Sequence, residues 1–223
     1  MLILAADTSG KNGSLALVRF EAESSHTLEL VSLEGGTFSA QLVPQISLLL
    51  SNHKLTKTDI GGFAVATGPG SFTGLRVGLA AIKALAEILQ KPIAAVSVLE
   101  AVARAAGREG CVLAALDAGR GEIYCGEYEI RSARATLITQ RLLAGPEFAA
   151  SAAGRLVVTP DAKVVELARE KNLPVILIEL PRADAIARLG FEKIQAGEIV
   201  TPEALDATYI RRTDAEIKKD VPV

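Results

Sequence analysis

Tryptophan is absent from the 223 residues, and six Phe and three Tyr are the whole aromatic complement. With 49% of the chain hydrophobic, Leu, Ile, Val and Ala must build the core. Cysteine is scarce too. Cys111 and Cys125 are too few for a disulfide framework, and both lie on or beside apolar segments, where buried, reduced thiols are expected. The two histidines, His26 and His53, stand in different segments with no second ligand at helical spacing. They match neither a His-x-x-x-His pair nor any zinc signature, and surface positions are expected for them. A Gly-x-Ser-x-Gly elbow is missing and neither cysteine has an obvious basic neighbour, so nucleophilic hydrolysis lacks support. No apolar run approaches the ~20 residues of a membrane-spanning helix. No basic stretch precedes the first apolar segment as a secretory signal requires, and a cytoplasmic location is expected. A charge excess is also lacking: 24 Lys and Arg against 26 Asp and Glu give a formal −2. Autonomous nucleic-acid binders carry a basic footprint. This chain does not, although a partner could hold nucleic acid for it.

What is present is the run Thr67-Gly68-Pro69-Gly70-Ser71-Phe72-Thr73-Gly74-Leu75-Arg76-Val77-Gly78. It follows a short apolar strand at 63–67 and opens a helix expected to reach Gln90. Glycine lets another backbone or a ligand approach closely, and Ser71 or Thr73 can cap the helix. The spacing is neither Gly-x-Gly-x-x-Gly nor a Walker loop. A binding loop and a rigid structural corner are both open readings.

Around it, residues 2–6, 14–19 and 27–33 read as local antiparallel strands, and 39–51 as a helix with Leu42, Val43, Ile46, Leu49 and Leu50 on one stripe. Strand 92–97 and helix 98–107 complete a β-β-β-α-β-α-β-α unit, a mixed sheet with helices. A second unit starts with strands 111–117 and 122–130. An irregular stretch over 131–153 precedes strand 156–159, helix 161–172, strand 174–179 and helix 182–196. The strand-turn-strand with an acidic residue before the turn occurs twice, at Asp7 and at Asp117, which hints at duplication. The expected divisions are a first lobe of 1–107, a second of 108–205, and a tail of 206–223 that packs back on the body.

Three features bear on chemistry. Asp7, Thr8 and Ser9 end the first strand, where hydroxyls and N–H groups can hold phosphate oxygens. They can equally be turn residues that bond the local backbone. Asp117, Arg120 and Glu122 read as a solvated, salt-bridged turn. The helix from Gly74 to Gln90 is apolar nearly all round: Leu75, Gly78, Leu79, Ile82, Ala86 and Leu89 cover one face, and Val77, Ala81, Ala84, Leu85 and Ile88 the other. Such a helix needs burial on two sides, one on the sheet and one on a second layer from this chain or from a partner.

The segments Ile3-Leu4-Ala5-Ala6-Asp7-Thr8-Ser9, Phe38-Ser39-Ala40-Gln41-Leu42-Val43-Pro44, Gly68-Pro69-Gly70-Ser71-Phe72-Thr73-Gly74-Leu75-Arg76, Asp117-Ala118-Gly119-Arg120-Gly121-Glu122-Ile123-Tyr124 and Tyr209-Ile210-Arg211-Arg212 resemble the TsaB family, in the family's order over almost the whole length. The resemblance implies an α/β fold of two actin-like (ribonuclease H-like) lobes, with mixed sheets flanked by helices. It implies a non-catalytic scaffold and activator of TsaD, the enzyme that transfers threonylcarbamoyl from its adenylate to A37 of ANN-decoding tRNAs. TsaE, an ATPase, would join them, and tRNA would be met only through the complex. Alone, the chain would pair with itself through the surface that takes TsaD. That surface would comprise Ser39, Leu42 and Ile46 of the first helix with Gly70, Phe72, Gly74, Leu75, Val77, Gly78, Ala81 and Leu85. No catalytic residue and no metal ligand is implied: where catalytic relatives carry a His-x-x-x-His pair this chain has Phe38 to Leu42. Many family members keep a histidine where Phe38 stands. Asp7, Thr8 and Ser9 match the first phosphate-contacting turn of the actin-like fold, degenerate in this family, and no intrinsic cofactor is expected beyond possible ATP or ADP at a subunit interface. The competing reading is a metallopeptidase-like hydrolase acting on a protein.

Overall fold

In a computed structural model of the protein, residues 1–22 and 24–210 are described. The chain forms two units. The first begins with β1 (Leu2–Asp7), β2 (Gly13–Phe20) and β3 (Ser25–Leu33), antiparallel neighbours whose local turns make this pairing natural. Helix α1 (Phe38–Asn52), a single 3-10 turn at Lys57–Asp59, β4 (Gly62–Gly68), α2 (Phe72–Leu89) and β5 (Ile93–Ser97) follow, and β4 and β5 add in parallel to give the order β3-β2-β1-β4-β5. The Gly68–Pro69 peptide is cis.

The strand period of two sorts this sheet into two faces. Leu2, Leu4 and Ala6 join Leu15, Leu17, Phe63, Val65 and Ile93 in one core, with Leu42, Ile46 and Leu49 of α1 and Leu75, Leu79, Ile82 and Ala86 of α2 packed on them. The alternate residues, among them Ile3, Ala64 and Ala94, face the other way. There a helix from much later in the chain lies against β1, β2, β4 and β5. Gly190 of that helix, Ala183–Gln195, backs onto Ala64 so closely that an added Cβ would overlap the alanine methyl.

This late return corrects the expected lobe boundaries. The first unit comprises 1–101 and 179–207, not 1–107 alone, because its sheet needs that distant helix to cover its second face. Leu205 is buried in the first core and Ala207 packs against it. Residues 211–223 of the expected tail, Arg211 and Arg212 included, lie outside the described residues.

Helix α3 (Val98–Arg104) begins in the first unit and ends in the second, which continues with β6 (Gly110–Gly119), β7 (Glu122–Arg131), β8 (Arg134–Ala144), α4 (Gly145–Ala152), β9 (Leu156–Thr159), α5 (Ala162–Glu170) and β10 (Val175–Leu177). The late helix Ala183–Gln195 is α6. The second sheet runs β8-β7-β6-β9-β10, the first sheet's order and pairing repeated strand for strand. Leu113, Ala115, Ile123, Cys125, Phe148, Val157 and Val164 form its core. The stretch expected to be irregular, 131–153, is thus mostly strand and helix. Cys125 is buried as expected, but Cys111 is exposed at the start of β6, beyond the covered part of the sheet. His26 is exposed, whereas His53 is half-buried against Glu29, with Nε2 3.0 Å from Oε2. Among the described residues, no helix is long and apolar enough to cross a membrane.

Candidate functional site

Asp7 closes β1, and its Oδ1 accepts a hydrogen bond from the Ser9 N–H at 2.8 Å. This is the Asx-turn geometry that short acidic side chains favour. The carboxyl is buried, which pushes its pKa up from the ordinary value of 3.8, while the bonds from Ser9 pull the other way. Thr8 is 1% exposed, and its hydroxyl donates to the Gly74 carbonyl at 2.7 Å. The Ser9 carbonyl accepts from the Ser71 N–H at 2.6 Å. Ser71 caps α2, its Oγ accepting from the Gly74 N–H at 3.3 Å.

The glycine loop and the first turns of α2 therefore lie directly on the Asp7-Thr8-Ser9 turn. Added Cβ atoms would overlap the Ser9 carbonyl at Gly70, the Thr8 carbonyl at Gly74 and the Thr8 hydroxyl at Gly78. The Phe38 ring, from the start of α1, completes the packing: its edge lies 3.0 Å from a Cβ built on Gly13 and 3.3 Å from one built on Gly74. Between the two open readings of the loop, the geometry is that of a rigid corner. The phosphate-turn candidates Asp7, Thr8 and Ser9 are brought together, but buried, with the Thr8 hydroxyl and the Ser9 carbonyl engaged by the loop and helix.

Helices α1 and α2 pack against each other, and each leaves large apolar residues exposed. Ile88 is 72% exposed, Val43 63%, Leu48 51% and Phe72 39%, with Ala80 and Ala84 also exposed. Arg76 lies over the Phe72 ring, its guanidinium carbon 3.8 Å from the centroid. The residues read from the sequence as a partner surface separate into three groups. Ser39, Gly70 and Phe72 are exposed; Val77, Ala81 and Leu85 are half-buried; Leu42, Ile46, Gly74, Leu75 and Gly78 are buried within the first unit. The last group faces the sheet or the Thr8 turn. Val43, Leu48, Ala80, Ala84 and Ile88 were not among the residues selected, although the apolar stripes already contained Val43, Ala84 and Ile88.

The second unit repeats the turn. Asp117 ends the matching stretch of β6 and its Oδ1 accepts from the Gly119 N–H at 2.8 Å. The Asp117 N–H donates to Asp161, just after β9, at 2.8 Å, and Lys163 sits 3.4 Å from the Asp117 carboxylate. The Asp117 carboxylate of the expected Asp117, Arg120 and Glu122 cluster thus pairs with a cation from outside it, Lys163, brought by the β9–α5 connection. Burial raises the Asp161 pKa and the neighbouring Asp117 carboxylate adds to this, against the Asp117 N–H and Lys163. Among the described residues, no three His, Cys, Asp or Glu side chains come together as a metal site would need.

Two sheets of identical strand order, each with its first strand ending in an Asx turn, define a two-lobed α/β protein of the actin-like type. A family model described as TsaD, tRNA N6-adenosine threonylcarbamoyltransferase, matches residues 35–194. The chain is 30% identical to the tRNA threonylcarbamoyladenosine biosynthesis protein TsaB of Bacillus subtilis, over 98% of this chain and 97% of that one. It is 36% identical to TsaB of Escherichia coli over 58% of this chain and 55% of that one. YeaZ from Pseudomonas aeruginosa superposes with a TM-score of 0.74 at 26% identity, covering 93% of this chain and 99% of that one. The chain belongs to the TsaB/YeaZ family.

Proposed function

We propose that this chain serves tRNA threonylcarbamoyladenosine synthesis as a non-catalytic subunit, binding and activating a TsaD-type transferase through the outer face of α1 and α2. One observation carries the reading: large apolar side chains, Val43 and Leu48 of α1 and Phe72 and Ile88 of α2, are exposed on two helices that pack together. Exposed patches of this kind mark protein interfaces, and both helices lie inside the matched segment. The names of the relatives supply the pathway. The internal engagement of Thr8 and Ser9 favours a lobe without a nucleotide of its own, so any ATP or ADP would sit at a subunit interface. A TsaE-type ATPase completes the assembly, tRNA is met through the transferase, and the free chain pairs with itself on the same face.

The test is threonylcarbamoyl transfer to tRNA by the cognate TsaD and TsaE, supplied with the enzyme that forms threonylcarbamoyl-AMP, with and without this chain. Transfer should depend on the chain and be lost with Ile88→Arg. Full transfer in its absence would sink the proposal.

A further inference from the structure

We propose that Thr8, with Phe38, is a positioning residue that sets the register of α1 and α2 and so shapes their outer face; this rests on that face being the partner surface. The turn at Asp7-Thr8-Ser9 is fixed at the end of the fully buried strand β1. From it, the Thr8 hydroxyl reaches 66 positions along the chain to the Gly74 carbonyl in the first turn of α2, at 2.7 Å in a buried site. The Ser9 carbonyl holds the residue that caps the same helix, at 2.6 Å.

Gly74 and Gly78 lie against Thr8 without room for a methyl. A slide or rotation of α2 along its axis would therefore drive helix backbone or a neighbouring side chain into Thr8, because close-packed interiors do not yield continuously. The Phe38 ring ties the start of α1 to the same point, wedged between Gly13 and Gly74. Phe72, which is exposed, and Val77 and Ala81, which are half-buried, stand on the turns of α2 that carry Gly74 and Gly78. Their placement follows from how those glycines seat on Thr8. A turn that in an actin-like lobe would face phosphate is here a seat for the helix pair.

The experiment compares the full chain with Thr8→Val, Thr8→Ser, Phe38→Leu and a control, Val157→Ala, in the buried core of the second unit. Binding to the cognate TsaD is titrated by calorimetry, melting is recorded for each variant, and transfer is followed against chain concentration. Thr8→Val keeps the shape and deletes the donor, so its affinity should fall roughly fivefold, the equilibrium equivalent of one net hydrogen bond. The half-saturating concentration in transfer should rise by a similar factor, with the rate at saturation unchanged. Thr8→Ser should restore wild-type affinity, Phe38→Leu should weaken it, and Val157→Ala should lower the melting temperature while leaving affinity intact. Wild-type affinity in Thr8→Val, or an equal loss in Val157→Ala, would overturn the inference. If Ile88→Arg abolishes binding and Thr8→Val does not, the inference fails alone. If the wild-type chain does not bind TsaD, the functional reading falls and takes the inference with it.

Discussion

At Gly74 two effects of an added methyl oppose each other. In an exposed helix, alanine is better than glycine by about 1 kcal/mol. Here the new Cβ would overlap the Thr8 carbonyl, a backbone atom held by the end of β1 that cannot turn aside. Overpacking a tight site costs about 1–3 kcal/mol, so the clash outweighs propensity. Gly74→Ala should lower the unfolding free energy measured in urea by up to about 2 kcal/mol, and a stabilised variant would show that the turn gives way. Asp7 offers a test of opposite sign. Burial raises its folded pKa above 3.8, so the folded state favours the protonated form. Its contribution is full below the unfolded value and lost as pH rises through the folded one. At neutral pH, where the unfolded chain ionises freely, the resistance of the buried Asp7 to ionisation therefore weighs against the fold. Asp7→Asn keeps an oxygen for the Ser9 N–H and removes the charge. Its unfolding free energy should exceed that of the wild type at neutral pH, and the gap should close as pH falls toward 3.8. A gap independent of pH would mean that the buried carboxyl is not what titrates.

The helix pair shows what a sequence pattern settles and what it leaves open. Apolar residues all round the stretch 74–90 required burial on two sides, and α2 has one side on the sheet and the other half-covered. Which side faced outward was not legible, because helical periodicity defines faces without naming their neighbours. The answer came from tertiary contact: Gly78 sits on Thr8 and Ala81 is half-buried against the core, whereas Ala84 and Ile88 are exposed. Gly78→Arg would consequently damage the lobe itself and is no probe of pairing. Ile88 is 72% exposed, so Ile88→Arg should change monomer stability by no more than about 0.5 kcal/mol. At a paired apolar surface the same charge would be buried without a partner, which is strongly unfavourable. Light scattering should then find the variant monomeric at concentrations where the wild type self-associates, with an unchanged melting temperature. A variant that pairs as the wild type does would place the interface elsewhere. Strand β8 was illegible for a different reason. Its alternation breaks at Ile138, which lies between Leu137 and Thr139, the residues that pair with Tyr128 and Glu127. Its turn is made by Ser132 and Ala133 at positive φ, without the glycine or asparagine that would have announced it.

At the scale of the molecule, the repeated acidic turn at Asp7 and Asp117 correctly hinted at duplication, since each turn is fixed by local chemistry that sequence carries. The discontinuity of the first unit left no such mark. The pattern of α6 shows an amphipathic helix but not the sheet it covers, and that sheet lies more than 80 residues earlier in the chain. The return of α6 makes a sharp prediction about truncation. Ile186 and Leu189 of α6 are buried, and burying two such side chains is worth about 3–6 kcal/mol. The uncovered sheet residues Ile3, Ala64 and Ala94 add to that loss. Whole domains are stable by only about 5–15 kcal/mol, so a chain ending at Ile178 should lose the first unit. The second unit, whose sheet and helices α4 and α5 all lie between 110 and 178, should keep its structure. Amide exchange on such a fragment should therefore find β1, β2 and β4 unprotected while β6, β7 and β9 remain protected. If protection persisted in β1 and β4, α1 and α2 alone would suffice to hold the first sheet, and α6 would be a cover the lobe can do without.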